Sequence, residues 1–217
     1  MGEKNEFTYP GSKAVVFWNR KLCIHIGECG RAEGDLFVGG RNPWCQPDLA
    51  ADDEAEAVVL RCPTGALSVK FADGSRVEQA PAKNTIQVAY NGPLFVSGDL
   101  QIAGAPAEVP GLKFRAALCR CGKSANKPYC DNSHLDSDFS DYGAIGRADN
   151  AEAATGGPLE VRPAPDGPLL VKGNVALVSS SGRQSWSGKQ TALCRCGASD
   201  NKPFCDGQHK KIGFKSE

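Results

Sequence analysis

The 217-residue chain has no net charge, since 25 Lys and Arg are matched by 25 Asp and Glu. That balance gives no reason to expect nucleic acid or an anionic surface as a partner. No apolar run approaches the ~20 residues that a bilayer span needs, so no membrane span is expected. The opening stretch, MGEKNEFTYPGSK, is polar and lacks the apolar core of a secretory signal. A cytoplasmic, reducing setting is the expectation. No nucleophile–base pair or substrate motif stands out, so no enzyme is expected. Gly122-Lys123-Ser124 resembles the tail of a phosphate-binding loop, but the required upstream glycine is Ala117. With 41% hydrophobic and 23% charged residues the chain is long enough for one large domain or two modest ones. What it has in quantity is cysteine, ten in all. In a reducing setting these read as metal ligands rather than disulfides.

Six of the ten lie in two similar stretches. CRCGKSANKPYCDNSH spans residues 119–134, and CRCGASDNKPFCDGQH spans 194–209. Both read Cys-x-Cys-x8-Cys-x3-His. The offset of 75 residues extends beyond the ligands: Gly92-Pro93-Leu94 matches Gly167-Pro168-Leu169, Gly98 matches Gly173, and Phe139 matches Phe214. The chain is therefore an internal duplication preceded by an unrelated segment. Expected domains are 1–79, 80–142 and 143–217, the last including an Ala-, Gly- and Asp-rich linker. Each repeat reads as strand, turn, strand, then a strand end running into the Cys-x-Cys loop. After Pro128 and Pro203, Cys-Asp-x-x-His suits the first turn of a short helix, which would put Cys130 beside His134 and Cys205 beside His209.

Three cysteines and a histidine can bind zinc or an iron–sulfur cluster. The one-residue Cys-x-Cys gap favours a larger inorganic core over one small ion, and both options stay open on spacing alone. The motif Cys-x-Cys-x2-Ser-x3-Pro-x-Cys-Asp-x-x-His closely resembles the CDGSH iron–sulfur domain, the mitoNEET-like family. Cys119, Cys121, Ser124, Pro128, Cys130, Asp131 and His134 carry the match, as do Cys194, Cys196, Ser199, Pro203, Cys205, Asp206 and His209. The departures are Asn132 in place of Gly and Gln208 in place of Ser, neither at a ligand position. The resemblance implies two [2Fe–2S] clusters: Cys119 and Cys121 on an inner iron with Cys130 and His134 on the outer, and Cys194, Cys196, Cys205 and His209 likewise. It also implies a monomeric pseudo-dimer with a β-sandwich-like strand region shared between halves. One histidine ligand per cluster implies a potential between Rieske-type and all-cysteine centres. Arg120, Arg195, Lys127 and Lys202 read as a solvated face or as compensation for cluster charge; Tyr129 and Phe204 read as shields against water.

The first segment holds Cys23, Cys29, Cys45 and Cys62. Laid on the bacterial ferredoxin pattern, positions 23, 26, 29 and 62 are the ligand slots, and slot 26 holds Ile26. The stretch, with RNPW and CPTGAL, resembles the divergent single-cluster ferredoxin-like domain that accompanies some CDGSH domains. That implies a [3Fe–4S] cluster on Cys23, Cys29 and Cys62, or a [4Fe–4S] cluster with one non-protein ligand. Cys45 is a candidate fourth thiolate, and His25 reads as an ordinary polar residue. KAVVFW and ALSVKF read as strands, and PDLAADDEAEAVVLRC as a helix started by Pro47 and its acids. The expected class is α+β, and the expected function is electron transfer, cluster transfer or redox sensing with an unnamed redox or apo-protein partner. A zinc-stabilised interaction module is the alternative.

Overall fold

The computed structural model describes residues 4–74, 76–146 and 154–216; part of the expected linker, 147–153, lies outside the described residues. The molecule is α+β, mostly sheet with few helices. Near the N-terminus, β1 (Glu6–Pro10), β2 (Ala14–Asn19) and β3 (Leu67–Phe71) form an antiparallel sheet in that order. Helix α1 (Asp52–Leu60) buries Ala55, Val58 and Val59, while Asp52, Asp53 and Glu54 occupy its first turn, where the helix dipole favours negative charge. Pro47 does not start this helix. Pro47–Leu49 is a separate 3-10 turn and α1 begins after the extended Ala50 and Ala51.

The two repeats share a second, seven-stranded sheet. Its strands are β4 (Thr85–Val88), β5 (Leu94–Ser97), β6 (Asp99–Ile102) and β7 (Arg115–Leu118) from the first repeat. The second repeat adds β8 (Pro158–Pro163), β9 (Leu169–Val178) and β10 (Gln184–Leu193). Each repeat sends its first strand to the other repeat. Thr85 pairs with Ala176 and Glu160 pairs with Gln101, both in parallel, and the 75-residue offset converts one pair into the other. Cys121 bridges Cys196, its own counterpart, so the relation between repeats passes between these two cysteines.

The duplication is broken in one place. In the second repeat β9 and β10 form a long hairpin, whereas the matching first-repeat stretch turns through a 3-10 helix at Pro110–Lys113. Pro106 and Pro110 explain the difference, because proline cannot donate to a strand ladder. The N-terminal domain fills the space this leaves. Leu22 and Ala66 belong to the same buried cluster as Val109, Leu112, Ala116 and Leu118. Arg115 fixes the junction: it is buried, ion-paired to Glu78 at 2.8 Å, and donates to the carbonyls of Val59, Cys62 and Leu67.

Candidate metal centres

Backbone pairing assembles each Cys-rich loop. The Cys119 N–H donates to the Pro128 carbonyl (2.8 Å) and the Cys130 N–H to that of Ala117 (2.9 Å), so the third cysteine returns beside the first. Cys194 and Cys205 repeat this with Pro203 and Ala192 at the same distances. Asp131 and Asp206 brace the loops by accepting from the backbone N–H of Ala125 and Asp200, both at 2.8 Å. Ser124 and Ser199 are buried and donate across the loop to the Tyr129 and Phe204 carbonyls. The expected helix after the third cysteine forms only in the second repeat, as the short α2 (Gln208–Lys211); residues 131–138 make turns instead. The Cys–His juxtaposition exists in both.

The candidate ligands gather in pairs. Cys119 and Cys121 place their sulfurs 3.7 Å apart, and Cys194 and Cys196 3.8 Å apart. Cys130 Sγ lies 3.5 Å from His134 Nδ1, and Cys205 Sγ 3.4 Å from His209 Nδ1. A tetrahedral metal with bonds of about 2.3 Å to sulfur and about 2.0 Å to nitrogen has ligand–ligand edges of about 3.5–3.8 Å. Each pair therefore fits two corners of one metal. Among the described residues, no three His, Cys, Asp or Glu side chains converge on a single ion position. Two pairs per motif, each able to grip its own metal, suit a two-iron core.

The electrostatics suit an anionic core. Cys119 is pulled down to about 6, first by the Cys121 thiol and then, against burial, by the backbone N–H groups of Ser124, Gly122 and Cys121. Cys194 is likewise brought to about 6 by Cys196, Ser199 and Gly197. Cys121 and Cys196 rise, first because each donates its S–H to the thiolate of its partner and then because of burial. Burial pushes Cys130 up to about 11 and, together with the Arg120 charge, holds His134 below the ordinary histidine value. Arg120 and Arg195 are not a solvated face. Both are buried, donate to the carbonyls of Gly92 and Gly167, and stack over Phe139 and Phe214. Lys127 and Lys202 point their amines at the Ser124 and Ser199 carbonyls. Tyr129 is buried, and Phe204 packs against Trp186.

Family comparisons agree with this geometry. Residues 91–135 and 166–210 match the model described as "Iron-binding zinc finger CDGSH type", and residues 9–71 match "Divergent 4Fe-4S mono-cluster". The chain belongs to the CDGSH family, with a divergent 4Fe-4S domain before its two repeats. It is an iron–sulfur protein. It is also 39% identical over 62 residues to an uncharacterized protein, YjdI, of Escherichia coli strain K12, and equally to that of strain O157:H7. The match takes in 29% of this chain and 82% of each relative.

In the divergent 4Fe-4S domain, Cys23, Cys29 and Cys62 line one cavity of about 590 Å³, walled by Trp18, Phe37 and Trp44. Burial raises Cys29, and the nearby Cys23 and Cys62 thiols raise it further. Ile26, in the slot that lacks a cysteine, lines the same cavity, as does His25, whose Nδ1 is 4.0 Å from Cys23 Sγ. Cys45 does not line it. It packs in the core with Val16, Leu36 and Phe37, where burial pushes its thiol up to about 12.

The sequence reading missed the contact between this domain and the first CDGSH repeat. Asn126 and Asn132 donate their Nδ2 amides to the Lys21 and Ile24 carbonyls at 2.8 and 2.9 Å, and Ile24 packs against Ala117 and Cys130. Asn132, noted as a departure from the family glycine, was the available signal. It keeps the left-handed backbone that glycine would take (φ 72°) and adds a donor facing the N-terminal domain.

Proposed function

We propose that this chain is a three-centre electron carrier of a reducing cytoplasmic compartment. In this reading Cys119, Cys121, Cys130 and His134 hold one [2Fe–2S] cluster, and Cys194, Cys196, Cys205 and His209 a second. Cys23, Cys29 and Cys62 hold a [3Fe–4S] or [4Fe–4S] cluster in a ferredoxin-like domain, and the two repeats act as a pseudo-dimer within one chain. Domains are taken as 1–79, 80–142 and 143–217. The bound clusters would supply one-electron redox chemistry; the protein binds them and brings the Cys119 and Cys194 thiols down toward their thiolates. The pairing of ligands at tetrahedral-edge distances carries the reading. A zinc module would draw three or four ligands of each motif around one ion, and the described residues contain no such group.

Electron carriage is favoured over cluster donation by the seam between domains. Ile24, one residue from Cys23, touches Cys130, and Arg115 of the first repeat bonds the Cys62 carbonyl. Two centres are thus joined by packed side chains and backbone rather than by a mobile tether. Nine of the ten cysteines are assigned to clusters in this reading, a use of cysteine that suits a reducing compartment. An anaerobic reductive titration tests the proposal: Cys62→Ala, Cys130→Ala and Cys205→Ala should each remove one distinct reducible centre and leave the other two. A full titre retained by Cys62→Ala would empty the N-terminal site of redox function.

A further inference from the structure

The duplicated sites are not presented equally to solvent. In the first repeat, Ala117, Cys130 and His134 are buried, and the Lys21–Ile24 segment covers the Ala117 and Cys130 face. Their counterparts Ala192, Cys205 and His209 are all half-exposed. Charge differs as sharply. His134 is followed by exposed Leu135 and Asp136, with Asp138 beyond, whereas His209 is followed by exposed Lys210 and Lys211; Ile212 turns away from this face into a cavity it lines with Asp136 and Asp138.

From this we infer that the Cys205–His209 face of the second repeat is a docking surface for a separate, acidic iron–sulfur protein, seated there much as the N-terminal domain sits on the first repeat. The first repeat shows what this face accepts: an aliphatic side chain next to a cluster-bearing loop. Lys210 and Lys211 set the charge of the partner. The second site is then the port through which the molecule exchanges electrons, and the first is an internal relay. In the exchange the reduced partner gives up one electron and the second-repeat centre is reduced by one; no bond is made or broken. This rests on the iron–sulfur reading above.

The test uses holoprotein and, as probe, a reduced acidic plant-type [2Fe–2S] ferredoxin, whose low potential makes it the donor. Iron and sulfide are assayed first; their absence sinks the iron–sulfur reading and this inference together. With clusters present, stopped-flow reduction should slow as salt is raised. The double variant Lys210→Glu, Lys211→Glu should slow it roughly tenfold or more at low salt and converge with wild type at high salt, the signature of steering by charge. Lys172→Glu, on β9 and outside the Cys205–His209 loop, should change little. A charge-reversed protein with full iron and sulfide that is reduced at the wild-type rate, or a wild-type rate indifferent to salt, overturns the assignment.

Discussion

Gly122 and Gly197 stand where the two repeats meet. Each has a left-handed φ (79° and 83°), and a Cβ on either would lie 2.6 Å from the carbonyl oxygen of the opposite Cys196 or Cys121. Gly122→Ala combines an unfavourable φ with a clash against backbone that cannot swing aside, so a loss of about 1–3 kcal/mol is expected in denaturant unfolding. An unchanged midpoint would mean that the backbone pairing of Cys121 with Cys196 is not tightly held. His134 makes a second prediction. Its depressed pKa means that the folded state resists protonation more than the unfolded chain does. Stability from this group is therefore complete above the ordinary value of about 6.5 and is lost as pH falls from there toward the folded value. A ligating nitrogen must also be free of its proton. In a Cys205→Ala background, the first-repeat cluster absorbance should decay faster as pH drops below about 6.5, and His134→Cys should flatten that dependence. Equal acid lability with and without His134 would exclude the imidazole as the weak point.

Between elements, the decisive contact is made by Arg115 at the start of β7. It satisfies three carbonyls at the end of α1 and around β3 while pairing with Glu78. Arg115→Ala leaves those acceptors and a half-buried carboxylate without a donor, and a cost of about 3 kcal/mol or more is expected. Limited proteolysis should then release the N-terminal domain from the repeats. If domain docking survives, hydrophobic contact through Leu22 and Ala66 is enough to hold it. The same contact marks the limit of what the chain reveals on reading. The strands of each repeat were visible because Gly-Pro turns punctuate alternating β-branched residues, and the loop was visible because ligand spacing is rigid. Arg115 was not, since an arginine in a strand looks the same whether it meets water or another domain. Nor was the true start of α1, because Pro47 fits a 3-10 turn as well as a helix.

At the scale of the molecule, a regular duplication has become structurally uneven. Pro106 and Pro110 deny the first repeat its hairpin, the N-terminal domain settles there, and one Cys–His face is covered while the other stays open. The duplication was legible from the 75-residue offset; the covering of one face was not, because it arises from packing between segments distant in sequence. The central claim is that three iron–sulfur centres share this one chain. Iron, zinc and acid-labile sulfide per chain, measured on protein purified without oxygen, test it most directly. The account predicts about seven or eight irons with about eight sulfides and no stoichiometric zinc. About two zincs per chain without sulfide would contradict it and leave a structural metal protein in its place.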